Sequence, residues 1–262
     1  MTRAQLHRGL ALVFTIPLAV SLSVFTDVQA ANPQQTTPSP AKKRRVTFDP
    51  PPDQPAPKVT IGGGRRDNDK CPQDRKTVSQ TLDRKTTDQF LTLLVPTSSK
   101  LGLTVSPHPT FLAYVAQTSA SSVVFTLENQ QGEGIYKTKQ DLKGTPGIVS
   151  FKLPTTAPQL AIGQDYKWVV SMVCQPAGPR DPFAEGVVRR VQPNAELASQ
   201  LNKAQPIDRV ALYAKAGIWQ EAAADLASLR QSQPQNAELT TAWKDLLQSV
   251  GLDAVSSAPL KN

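Results

Sequence analysis

Leu160-Ala161-Ile162-Gly163-Gln164-Asp165-Tyr166-Lys167-Trp168-Val169-Val170-Ser171-Met172-Val173-Cys174 is the stretch that decides how this chain is read. Side chains alternate along an extended chain, so Tyr166, Trp168, Val170, Met172 and Cys174 share one face. Val169 and Val173 fall on the other. Apolar residues on both faces predict a strand in the middle of a sheet, covered on each side.

Six further runs carry the same signature. Gln89–Val95 is a compact apolar run ended by Pro96. Thr110–Gln117 follows Pro107 and Pro109, and Ser122–Glu128 puts Val123, Phe125 and Leu127 on one face. Residues 129–134 read as a turn into Ile135–Lys139. Thr145-Pro146-Gly147 has Pro and Gly where a type II turn wants them and leads into Ile148–Leu153. Glu185–Val191 closes the series. Short strands with turn chemistry between them and no helical period predict a two-sheet antiparallel β-sandwich over residues 71–192. The pattern Leu160-x-x-Gly163-x-x-Tyr166-x-Trp168-x-Val170 resembles the entry to the sixth strand of fibronectin-III-like and other immunoglobulin-like sandwiches. In that resemblance the Tyr166 hydroxyl ties the corner to upstream backbone.

The period changes to 3.6 in residues 193–250, predicting an all-α C-terminal part. Pro206–Ala216 places Val210, Tyr213 and Ala214 on one face, and Gly217 stops the helix. Trp219, Ala222, Ala223, Leu226 and Leu229 follow at helical spacing. After Pro234 the spacing repeats in Leu239, Trp243, Leu246, Leu247 and Val250. Tyr213-Ala214-x-x-Gly217-x-Trp219-x-x-Ala222 is similar to one tetratricopeptide helical hairpin. Tyr213, Trp219 and Trp243 are therefore core residues of the hairpin or, in the sharper reading, the lining of a partner-binding groove. Residues 251–262 are expected to form a disordered tail.

At the other end, residues 1–30 read as a signal peptide. Arg3, His7 and Arg8 precede an apolar stretch from Gly9 to Phe25, and cleavage is expected between Ala30 and Ala31. A retained N-terminal anchor is the alternative. No later apolar run is long enough to span a bilayer, so export predicts a periplasmic, envelope or extracellular protein. Residues 31–70 are rich in Pro, Gln, Thr and Ser and contain Lys42-Lys43-Arg44-Arg45, which predicts a disordered, basic linker. Gly62-Gly63-Gly64-Arg65-Arg66 lacks the ending of a phosphate loop.

The chain has 262 residues with a formal net charge of +8, unevenly spread. Residues 31–88 carry 12 basic and 7 acidic groups, whereas residues 89–262 carry 15 and 13. The basic character therefore belongs to the N-terminal part, and the near-neutral remainder argues against nucleic-acid binding. Two Cys and two His argue against a dedicated zinc site. In an oxidising compartment Cys71 and Cys174 are instead candidates for one disulfide, closing a loop of about 100 residues.

No arrangement for catalysis is visible. His108 sits between Pro107 and Pro109 without an accompanying nucleophile motif, and reads as a loop residue. Asp181 and Glu185 have the spacing of paired acids, yet Glu185 more simply pairs with Arg189 on the same strand face. No catalytic residue, cofactor or metal ligand is assigned.

Several strings belong together: Leu94-Val95-Pro96, Pro109-Thr110-Phe111-Leu112-Ala113-Tyr114-Val115, Thr145-Pro146-Gly147-Ile148-Val149-Ser150, and Tyr166-Lys167-Trp168 through Val173-Cys174-Gln175-Pro176. Phe183-Ala184-Glu185-Gly186 with Arg190-Val191, and Tyr213-Ala214 with Gly217-Ile218-Trp219, complete the set. In their order and spacing they resemble an exported cyanobacterial family, the domain of unknown function 928. The chain departs from that pattern at Leu112, Ala113 and Val187, where the family commonly has aromatics. The resemblance implies a compartment and an architecture but no activity. The resulting expectation is a non-enzymatic interaction or adaptor protein of the periplasm or cell envelope, with an envelope protein as partner. The alternative is an envelope polysaccharide- or peptidoglycan-binding β-sandwich using Tyr114, Tyr136 and Tyr166.

Overall fold

The computed structural model describes residues 45–52, 54–59, 71, 73–74, 90–178 and 181–261. The predicted signal peptide, its Ala30–Ala31 cleavage point, the glycine run at 62–64 and the basic residues Lys42, Lys43 and Arg44 lie outside them; Arg45 is exposed. In chain order the strands are β1 Leu91–Leu93, β2 Leu101–Thr104, β3 Thr110–Val115, β4 Ser122–Glu128, β5 Gly134–Asp141, β6 Gly147–Lys152, β7 Asp165–Val173 and β8 Phe183–Arg190. The helices are α1 Ala195–Lys203, α2 Pro206–Lys215, α3 Trp219–Ser232 and α4 Ala237–Ser249.

The strands form two sheets, one ordered β1-β3-β6 and one ordered β2-β8-β7-β4-β5. The predicted central strand is β7, paired with β4 on one side and β8 on the other. Its inward residues Trp168 and Val170 are fully buried. They meet Phe111 and Phe151 of the facing sheet around Phe125, which forms an aromatic centre. Tyr166 closes the corner before β7, its hydroxyl accepting the Ala161 N–H at 3.0 Å. All seven predicted strands are present. The eighth, β2, is only Leu101-Gly102-Leu103-Thr104 and pairs in parallel with β8, a partnership far away in sequence that no local alternation signals.

The turn before β6 differs from its prediction. Gly144 takes the positive φ, of 85°, and Thr145–Pro146 is cis. Gly147 instead makes room, since a Cβ there would stand 2.5 Å from the Lys261 side chain.

The helices cover the outer face of the smaller sheet. Leu112 and Ile148 point away from the inter-sheet core and join Leu94 and the buried faces of α2, α3 and α4. The helix α1 was not foreseen. It begins at Asn194, whose side chain caps Leu197 N–H at 2.8 Å. It buries no residue fully, although Leu197 and Leu201 rest on the helical core.

Two segments expected to be disordered are built into the fold. Within the predicted linker, Val46 and Phe48 are buried in the helical core. Phe48 N–H donates to Ser249 Oγ at 2.9 Å, and Asp49 N–H donates to Ala214 O at 3.0 Å. Proline-rich chain makes no hydrogen bonds of its own, but two apolar anchors and the small entropy left to lose in a φ-restricted chain let it dock. Farther on, Arg189 holds Gln54 and Pro55, and Lys58 N–H donates to Asp165 at 2.7 Å. The predicted tail is ordered as well: Leu252 and Val255 are buried, and residues 259–261 bond both backbone groups of Ile148 at 2.8 and 2.7 Å. Among the described residues no helix is long and apolar enough to cross a membrane.

Candidate functional site

Arg190 at the end of β8, the segment 191–193, the second half of α1 and one side of α2 line an open cleft of about 480 Å³. Chain direction creates it. β8 runs out at Arg190, Asn194 caps α1 directly after the segment 191–193, and α2 follows, so that Arg190, Leu201 and Arg209 come to line the same cleft. Arg190 stands at the base. Its Nη1 donates to Leu160 O at 2.8 Å and its Nε to Val105 O at 3.4 Å. Two carbonyls thus fix the guanidinium in direction without neutralising it. Arg209 comes from α2 and is exposed. It lies near Asp225, whose pKa burial raises and the Arg209 charge draws back down. Tyr213 lines the inner wall, the exposed amides of Gln192 and Asn202 sit at the rim, and among the described residues no Asp or Glu lines the cleft.

Two other polar constellations are structural. Arg189 and Asp165 form a bidentate pair, Nε to Oδ1 at 2.6 Å and Nη2 to Oδ2 at 3.0 Å, both nearly fully buried, and this pair holds the proline-rich segment against the larger sheet. Glu221, in the first turn of α3, accepts the Thr104 hydroxyl and the backbone N–H groups of Val105 and Ser106. Burial outweighs those donors and raises its pKa. Glu221 therefore clips the exit of β2 to the helices.

The residues singled out in the sequence separate clearly. Cys71 and Cys174 are disulfide-bonded, with their Cα atoms 5.4 Å apart. Trp219 and Trp243 do not line a partner groove. Trp219 donates its indole N–H to Leu94 O at 2.6 Å and meets Phe48 edge-on, while Trp243 is buried beneath the Arg230 guanidinium. Tyr213 is also buried, but faces the basic cleft. The hairpin's apolar stripe is used up against the smaller sheet and the two terminal segments, because one helical pair cannot cover its own face.

Tyr166 is occupied at the corner, Tyr136 leans on Phe125, and Tyr114 is half-buried toward the helices. They form no exposed stacking platform. His108 is held in its loop by Ala157 O at 3.2 Å. Asp181 accepts backbone N–H groups of Gly178 and Cys174. Glu185 pairs with Lys167 at 3.7 Å, correcting the expected Arg189 partner, because Arg189 is committed to Asp165. Neither Arg190 nor Arg209 was assigned a site from the sequence. They lie on different elements, and no local pattern joins them.

No curated protein matches the chain. Among solved structures it is similar to the crystal structure of CopC from Methylosinus trichosporium OB3b, at 11% identity over 40% of this chain and 98% of that one. The TM-score is 0.28, and so faint a likeness carries no argument. The comparison with families is decisive in a different way, since one match spans residues 61–260 and so takes in both sheets and all four helices. The chain belongs to the family described as Domain of Unknown Function (DUF928).

Proposed function

We propose that this protein is an exported, non-enzymatic interaction protein of the periplasm or cell envelope, which holds its ligand or partner at the junction of sheets and helices. The observation that carries the reading is Arg190, a half-buried cation fixed by two carbonyls in an open cleft whose lining, among the described residues, holds no carboxylate. A group aimed in advance and left uncompensated suits recognition. The Cys71–Cys174 bond fits an oxidising compartment. The residues considered for catalysis are each engaged in holding backbone or a neighbouring side chain, which favours binding over reaction.

The scaffold reading follows the same course. The two facing sheets and the Tyr166 corner support an immunoglobulin-like sandwich, from whose antiparallel pairing the parallel β2–β8 edge departs. The α2–α3 pair around Gly217, with φ of 70°, supports a tetratricopeptide-like hairpin that serves as a lid on the smaller sheet.

Fractionation of cells making the tagged full chain, followed by crosslinked capture, tests the proposal. The expected result is recovery outside the cytoplasm with a stoichiometric bound component that Arg209→Glu releases. Recovery in the cytoplasm overturns export, and capture unchanged by Arg209→Glu overturns the cleft as the binding site.

A further inference from the structure

We infer that the cleft binds an acidic saccharide, with a ring carboxylate on Arg190 and Arg209 and sugar hydroxyls on the rim amides; this rests on the binding reading above. Four features of the lining point to that class. A guanidinium presents paired N–H donors that match a carboxylate, and Arg190 has its orientation set before the ligand arrives. Arg209, from α2 and near Asp225, adds a second cation to the lining. Gln192 and Asn202 each offer a donor and an acceptor, which is what a hydroxyl group requires of its partner. Between the polar groups, Val191 and Leu201 give an apolar surface for the C–H face of a ring.

Size narrows the class further. A cleft of about 480 Å³ is in the range of small-molecule sites and is far larger than a bare oxyanion needs. A nucleic acid would require a cationic track, but the residues from 89 onward carry 15 basic groups against 13 acidic. One or two acidic sugar units meet both limits.

The test is an amide-shift and calorimetric titration of the full, disulfide-bonded chain with digalacturonate, beside cellobiose and inorganic phosphate. Digalacturonate should shift amides of α1, α2 and residues 190–194 and bind with Kd in the range of about 0.1–1 mM. Affinity should fall as salt is raised from about 50 to 200 mM. Arg209→Gln, which removes an exposed group but also the charge that favours ionised Asp225, should weaken binding roughly fivefold in a sample whose amide spectrum is unchanged outside α2 and the surroundings of Asp225. Cellobiose should give no shifts.

Absence of shifts with about 10 mM digalacturonate overturns the proposal, as does equal binding of cellobiose. Equal binding of phosphate at the same amides reduces the cleft to a bare oxyanion site and overturns the saccharide class. If digalacturonate fails but Arg209→Glu still abolishes capture from the envelope, only the ligand class has failed. If both fail, the binding reading falls with it.

Discussion

Between the sheets, Trp168, Phe111, Phe125 and Phe151 form a chain of rings with successive centroids 4.9, 5.0 and 5.2 Å apart, and the Cys71–Cys174 bond closes the end of β7. Beneath the helices, Trp219 and Trp243 are just as buried, yet no disulfide reaches them. That region is held by hydrogen bonds and by chain from elsewhere: Leu94 O on Trp219, the β2 exit on Glu221, Val46 and Phe48 from one end, Leu252 and Val255 from the other. The first core is closed by neighbours along its own strands and one covalent link. The second is assembled from four distant parts of the sequence. A cleft with a lightly held wall, α1, sits on the second, where opening costs least.

The sharpest way to break this contrast is to remove the covalent link. Cys71→Ala with Cys174→Ala should lower stability by about 4–5 kcal/mol in the chain-entropy account, read as the urea midpoint. A loss below about 1 kcal/mol would mean that the rings alone close the sheet core. Next in size, Trp219→Ala removes a fully buried ring and its bond to Leu94 O, and should cost about 3–5 kcal/mol. Hydrogen exchange should then show α2 to α4 opening while β4 and β7 stay protected. Simultaneous loss of both would make the two regions one cooperative unit.

Arg189→Met leaves Asp165 as an uncompensated buried carboxylate and should cost about 3 kcal/mol. Because Arg189 also holds Gln54 and Pro55, amides of residues 54–59 should lose protection first. Uniform loss across the molecule would deny the segment any separate role as a strap.

The smallest effect is electrostatic. The pKa of Glu221 is raised by burial above its ordinary 4.5, so the folded state holds this proton more tightly than the unfolded chain does. Its contribution is therefore present below the ordinary value and is lost as pH rises through the raised one. Asp225, also raised, acts in the same direction. Urea midpoints measured upward from pH about 4.5 should fall, and Glu221→Gln should flatten that slope. An unchanged slope would assign the dependence to Asp225 or to groups outside the junction.

Much of this molecule is visible in local pattern. Alternation around Trp168, the turn at residues 129–134, and the 3.6 period through Trp219 and Trp243 each depend on neighbours within a few residues, so strands and helices could be placed from sequence. Asn194 followed by Leu197 and Leu201 was a signal for α1 that was there to be read. The same local pattern left Tyr213, Trp219 and Trp243 open between core and partner groove, because an apolar stripe has the same spacing whether it meets a partner or the chain's own sheet; burial makes the two tryptophans core. It misled at residues 45–59, where proline content describes the chain's lack of internal hydrogen bonds but not the pocket awaiting Phe48.

The sequence by itself therefore determined the alternation of two apolar-faced sheets, the switch to helices after residue 193, the one possible pair of cysteines and the absence of any local catalytic motif. Only the tertiary structure decided that β2 joins β8, that Cys71 and Cys174 are bridged, that residues 46–58 run from the helical core to the larger sheet while residues 252–261 run from it to the smaller one, and that Arg190 and Arg209 line one cleft. The physical reason is range. Side-chain period and turn chemistry act over a few residues, whereas burial and charge compensation are set by whichever distant segment the fold brings alongside.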